Sequence, residues 1–369
     1  MKKSYLVAIF LYVLGMSFSC GGGGPADETA QQQGTEHVPE LVPVLSIGIE
    51  MGDSGYVFGD IRDACVLHDG RIIVFDSFDN TISAYSPEGT FLEEFGGSGE
   101  GPGEFGRSFG MTVLADGRLL VTDPMLSRVT LFEPDLTVSD MIGGFVPWPP
   151  ERISAAAGST YVGAHRTFDR ENSLYGHLVA LWSDSPEADV EYYRRQGDFN
   201  MQNLRESTEA NQVVFTADYQ GRVYIAPYST DEYRIDVLGP DGGNLYTIRE
   251  DREPEDRPAE EIQREIEEMR EQLEREGAPE MEWHPAEQYH LIPLRGMGID
   301  GQGRLWVRDG RSVRPRFSVY SGEAHRFDIE LTDVDLPLED LTVKVTPQGI
   351  LAWQGDPETY PRLFVLELI

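Results

Sequence analysis

The sequence predicts an all-β fold, a six-bladed β-propeller, and three observations carry that reading. One short pattern, a small or polar residue, Gly and then an apolar strand, returns six times. It reads Asp69-Gly70-Arg-Ile-Ile-Val-Phe, Asp116-Gly117-Arg-Leu-Leu-Val-Thr, Ala157-Gly158-Ser-Thr-Tyr-Val-Gly, Gln220-Gly221-Arg-Val-Tyr-Ile-Ala, Gln302-Gly303-Arg-Leu-Trp-Val-Arg and Gln348-Gly349-Ile-Leu-Ala-Trp-Gln. The six glycines are separated by 47, 41, 63, 82 and 46 residues, the interval of one small sheet per repeat, with insertions in the two long gaps. Finally, the last repeat offers only three strands, while a spare strand, Val44–Ile49, stands near the N-terminus. Pairing the spare strand with the last repeat closes a ring and hides two open edges.

Each repeat reads as four strands. The first has Ala64–Leu67, Arg71–Phe75, Thr81–Tyr85 and Thr90–Phe95, with turns at Asp69-Gly70 and Ser86-Pro87-Glu88-Gly89. The second repeats the scheme with Met111–Leu114, Arg118–Thr122, Arg128–Phe132 and Val138–Ile142. The fourth places Gln220-Gly221 and Pro240-Asp241-Gly242 at the same two turns. The sixth supplies Leu341–Val345, Ile350–Trp353 and Leu363–Leu368. First strands are rich in small residues (Ala64, Gly110, Ala155, Gly296, Gly298), as expected where six backbones converge on an axis.

Between repeats four and five, Arg257–Gly277 reads as a helix. Pro258 and Gly277 stand at its ends, and Ile262, Ile266, Met269 and Leu273 mark one face. Glu260 with Arg264, and Glu271 with Arg275, stand at the favourable spacing of four. This excursion falls on a link between sheets, where it packs on neighbouring blades, caps the channel or docks a partner.

The chain has 369 residues and a net charge of −34, and loss of Lys2 and Lys3 with a leader would make it −36. Such a field repels phosphate backbones and disfavours nucleic acid as a partner. Residues 1–20 form a leader: two lysines, a run from Tyr5 to Phe18 too short to span a bilayer, then Cys20 and four glycines. This resembles a bacterial lipoprotein signal, although Ser17 stands where that signal usually has Leu. The resemblance implies acylation of Cys20, with an ordinary cleaved signal as the alternative. By the sorting rule of such signals, Gly21 implies the outer membrane. Residues 21–40 are polar and Gly-rich and read as a flexible tether to the domain at 41–369. The second cysteine, Cys65, lies in an apolar run and reads as a small core residue, with no disulfide.

The run Gly96-Gly-Ser-Gly-Glu-Gly-Pro-Gly-Glu-Phe105, the strand Asp116-Gly-Arg-Leu-Leu-Val-Thr-Asp123 and Arg128-Val-Thr-Leu-Phe132 resemble NHL-type six-bladed propellers, and among them bacterial propeller lipoproteins. The resemblance spans residues 41–369 and is weakest in the third repeat, where Ala164 replaces the strand-ending acid. It implies a fold and an envelope address more than a chemistry.

In such a ring the turns after second strands and the links between blades share the face on which ligands bind. Arg62, Arg107, Arg152 and Arg295, each just before a first strand, map there, with Trp148 and Tyr228. Guanidinium groups in so acidic a protein suit a carboxylate-bearing saccharide or peptide, and a lone ring of arginines is also tolerable without one. Asp76, Asp123 and Asp309 end second strands on that face and read as turn-holding acids rather than calcium ligands. Of the seven histidines, His165 and His290 are the candidates for a metal, but no metal-spaced motif contains them. The expectation is a monomeric, cofactor-free and metal-free binding scaffold, lipid-anchored in the bacterial envelope and docking an envelope protein or an anionic saccharide or peptide. The alternative is a metal-dependent hydrolase or lyase of lactonase type at the channel mouth.

Overall fold

Six four-stranded antiparallel sheets, each in simple sequence order, are arranged so that only one mixes the two ends of the chain. The computed structural model describes residues 39–369 apart from 107–109, 170, 201–204, 206–208, 210, 276, 278–281, 313, 333–337, 339–340 and 355–359. The described residues form one compact unit.

The first blade comprises β2 (Ile61–Val66), β3 (Ile72–Asp76), β4 (Thr81–Tyr85) and β5 (Phe91–Gly96). The second comprises β6 (Gly110–Val113), β7 (Leu119–Asp123), β8 (Arg128–Phe132) and β9 (Val138–Gly143). The third has β10 (Glu151–Ala155), β11 (Tyr161–Asp169), β12 (Leu174–Trp182) and β13 (Val190–Asp198); the fourth has β14 (Val213–Ala217), β15 (Val223–Pro227), β16 (Tyr233–Leu238) and β17 (Asn244–Glu250). The fifth has β18 (Met297–Ile299), β19 (Leu305–Arg308), β20 (Arg316–Ser321) and β21 (Ala324–Glu330). The sixth joins β22 (Leu341–Thr346), β23 (Gly349–Gln354) and β24 (Leu363–Leu368) to β1 (Leu41–Ile47), so the two ends of the chain close the ring. The closing strand begins three residues before the expected Val44. Pro43 fits there because the register shifts between Pro43 and Leu45, and a residue without an N–H is tolerated at an edge bulge.

The buried apolar side chains fall into six clusters, one at each contact between neighbouring blades. Strands in the middle of a blade therefore bury both faces, and β3 and β7 are buried along their whole lengths. Five of the six repeat glycines adopt positive φ in the turn between first and second strands. The sixth, Gly349, instead opens β23 and pairs with Thr346, leaving Pro347 and Gln348 to make the turn.

The third blade departs most from the repeat. Its first turn is as long as that of the first blade, but the glycine stands one place earlier in it, so the structural counterpart of Asp76 is His165, not Ala164; β11 runs on to Asp169. Asp169 then accepts the backbone N–H groups of Glu171 and Asn172 and turns the long hairpin. The helical insertion is present between blades four and five as α1 (Ala259–Arg275), with Gly277 at φ +75 just beyond it.

Candidate functional site

Alternate residues of the six inner strands face the axis. Register places Cys65, Thr112, Ser154, Thr216, Gly298 and Lys344 at one equivalent level. Five are small, and the space they leave holds one long side chain. Lys344 crosses it, donating to Asp63 Oδ1 at 2.7 Å and to the Met111 carbonyl at 2.8 Å, which ties blade six to blades one and two. Asp63 also accepts the N–H groups of Ala64 and Met111, so its carboxylate is fully engaged. Gly298 is required by close approach, since a Cβ there would lie 2.4 Å from the Val345 carbonyl oxygen. Burial pushes the thiol of Cys65 up to about 12, which keeps it protonated and unreactive.

Below this level Tyr219 reaches from the fourth blade to donate to the Val113 carbonyl at 2.9 Å and to accept from Gln348 at 2.7 Å. A cavity of about 110 Å³ runs along the channel from this end toward the face of the second turns and blade links. Arg152 and Arg295 line that cavity, together with Lys344, Asp63, Tyr219 and Gln348.

Arg152 stands at a register shift in β10 with φ +51, an uncommon conformation for a side chain of this size. Its guanidinium donates to the Val213 carbonyl at 3.0 Å and lies over the Phe215 ring at 5.6 Å. Burial, opposed by Glu151 and reinforced by the charges of Arg166 and Arg295, pushes its pKa down to about 10. Glu151 is already held by Arg166 at 2.5 Å. Among the described residues neither Arg152 nor Arg295 has a carboxylate within ion-pair distance, whereas Lys344 has one. Arg295 is exposed.

The other expected residues are distributed differently. Arg62 lies in β2 at a register shift and does not line the cavity. Arg107 lies outside the described residues. Trp148 flanks a separate shallow hollow with Pro149, Glu151 and Arg166. Tyr228 stacks on His290, centroids 3.6 Å apart and planes 6° from parallel. The pair borders a polar hollow of about 370 Å³ beneath α1, lined also by Glu209, Arg257, Glu261, Glu265 and Tyr289. There burial, with Arg205 and Arg257 nearby, lowers His290 to about 4, and burial raises Glu209 above the usual carboxylate range. Arg257 holds Glu261 and Glu265, and Tyr289 and Trp283 donate to the same two acids, so the insertion is pinned to its own base. The sequence did not mark this hollow, because its walls come from five separated segments.

The strand-ending acids hold turns. Asp76 accepts from the N–H groups of Gly59, Asp60 and Phe78; Asp123 accepts from Gly106 and Leu126; Asp309 takes Arg311 through backbone and guanidinium. His165, in the equivalent place, meets the Val146 carbonyl at 2.9 Å through Nε2 and so ties turn to link as Asp76 does. Among the described residues no group of three or more His, Cys, Asp or Glu is placed to hold a metal ion, and no helix is long and apolar enough to cross a membrane.

No family model matches the sequence, and no curated protein matches it. Solved structures share the architecture at low identity. A PQQ-bound aldose sugar dehydrogenase from Streptomyces coelicolor aligns at TM-score 0.47 and 14% identity over 90% of this chain and 98% of its own. Virginiamycin B lyase from Staphylococcus aureus aligns at 0.45 and 8% over 90% and 100%. A member of the DUF4221 family from Bacteroides vulgatus aligns at 0.45 and 11% over 90% and 99%. The class of this protein, a six-bladed β-propeller, rests on its own strand order.

Proposed function

We propose that this chain is a binding propeller of the bacterial envelope, tethered by a lipid on Cys20, that receives a carboxylate-bearing saccharide or peptide at the channel mouth. One observation carries the reading: Arg152 and Arg295 line a single cavity, and among the described residues no acid is paired to either. A carboxylate there would gain charge-assisted hydrogen bonds from planar donors and relieve repulsion between two cations. The positive φ of Arg152 adds support, because strained residues gather where a side chain must be aimed.

Calorimetric titration of the purified protein with galacturonate, glucuronate and a peptide with a free or amidated C-terminus tests this. Saturable binding of the free acids is expected, weakened by roughly tenfold in Arg295→Gln, the loss expected for one charged hydrogen bond. Absence of binding at millimolar concentration, or equal binding of the amide, would overturn it. Palmitate labelling that disappears in Cys20→Ala is expected for the tether; unlabelled wild-type protein would exclude it.

A further inference from the structure

Nine of the fourteen exposed large apolar residues among those described lie on the face of the channel mouth, eight in turns and links of blades six, one, two and three and Phe168 near the end of β11. Four of the remainder are on outermost strands and one is the C-terminal residue, so neither the opposite face nor the mouth side of blades four and five has such a grouping. The most projecting are Met51, Phe78, Met125 and Val146, with Trp148 and Phe168 beside them.

Phe78 and Met125 occupy the same place in successive repeats, two residues after the acid that ends the second strand. Each stands over the glycine of its link: a Cβ on Gly59 would fall 2.5 Å from Phe78, and one on Gly106 2.9 Å from Met125. Phe78 is 76% exposed and Met125 68%. In the fifth blade that place is held by Arg311, folded back onto Asp309. The fold gains little from an apolar side chain left in water, whereas burying it against a partner is favourable. Two such residues, one blade apart and beside the mouth, are placed as anchors.

Charge decides what sits on them. Glu50, Asp79 and Glu100 are exposed on the same arc, and no basic partner engages them among the described residues. Three of its described arginines are engaged: Arg128 by the carbonyls of Glu100, Gly101 and Glu104, Arg166 by Glu151, and Arg362 over the rings of Tyr360 and Phe364. A second copy of a chain carrying −34, or an anionic lipid surface, brings like charge to this arc. We infer that the arc is the docking surface for a basic, apolar-bearing segment of a partner protein, anchored on Phe78 and Met125. This holds whether or not the mouth takes a carboxylate.

The test uses two labelled synthetic peptides of equal length, one alternating Lys with Leu and Phe, the other carrying Glu for every Lys. Fluorescence anisotropy is read against the wild-type protein, the pair Phe78→Ser/Met125→Ser, the pair Asp79→Lys/Glu100→Lys, and a control pair on outer strands, Leu92→Ser/Leu245→Ser. The lysine peptide is expected to bind saturably, with a loss of at least about tenfold in each of the first two pairs and none in the control. Melting temperatures of the four proteins should agree within a degree or two. Equal binding of both peptides, or wild-type binding by Phe78→Ser/Met125→Ser, would overturn the inference. So would phosphatidylglycerol-containing vesicles, or self-association in sedimentation, showing the dependence on Phe78 and Met125 in place of the peptide.

Discussion

The floor and the mouth of the channel carry the same kind of charge and use it in opposite ways. At the floor Lys344 is met by a carboxylate and a carbonyl from two other blades, so every polar group there is satisfied from within. At the mouth Arg152 has one carbonyl and an aromatic ring, and among the described residues neither it nor Arg295 is paired with an acid. The difference separates a cation that holds the ring together from the cations on which the proposed carboxylate site rests.

Removing the floor contact should have the largest effect. Lys344→Ala strands the buried Asp63 carboxylate, and chemical denaturation should show a loss of about 3–5 kcal/mol. The double variant with Asp63→Asn should lose less than the two single changes combined, because the stranded charge is gone. A Lys344→Ala protein as stable as wild type would erase the distinction drawn here.

The next effect depends on pH. His290 is kept neutral, its pKa lowered from 6.5 to about 4 by burial first and by Arg205 and Arg257 next. The unfolded chain takes up the proton more readily, so this contribution is whole above pH 6.5 and is lost as pH falls toward about 4. The full swing is about 3 kcal/mol. Denaturation midpoints measured across that window should decline in the wild type and flatten in His290→Gln, and an imidazole titrating near 6.5 by NMR would refute the assignment.

A smaller loss is expected at the turns. Asp123→Ala frees the N–H groups of Gly106 and Leu126 and should cost about 1–3 kcal/mol, read as a lower melting temperature. At the mouth the expectation is smallest: Arg295→Gln should alter stability by no more than about 0.5 kcal/mol while weakening carboxylate binding roughly tenfold. A large stability loss in that variant would move Arg295 to the side of Lys344.

Much of the architecture was legible in the chain because it repeats. A turn glycine, an alternating strand and a strand-ending acid recur at intervals set by one blade, and small residues in first strands foretell backbones meeting at an axis. The third blade resisted because its turn glycine stands one place earlier than in the first blade, so counting from that glycine put Ala164 where His165 stands. The helix was readable from its apolar spacing, while the hollow beneath it was not. The Lys344–Asp63 pair joins residues 281 apart, a distance over which local pattern says nothing. One clue was on view: Lys344 is the only lysine after residue 3. Of the arginines read as a ring, those that share the cavity come from a strand bulge and a link, irregular backbone that periodicity does not describe.

The Glu40 N–H donates to the Ile369 carbonyl at 3.0 Å, and the return bond is 2.9 Å. Of the ring's strands β1 is made before all others and β24 after them, so β1 must wait with an unsatisfied backbone until that hairpin emerges. A chain halted before residue 363 would present two raw edges to its neighbours, with aggregation the expected fate. Splicing residue 40 to residue 369 and cutting at a hairpin tip such as Asp241-Gly242 would remove that delay, giving a permuted ring whose folding no longer depends on its last segment.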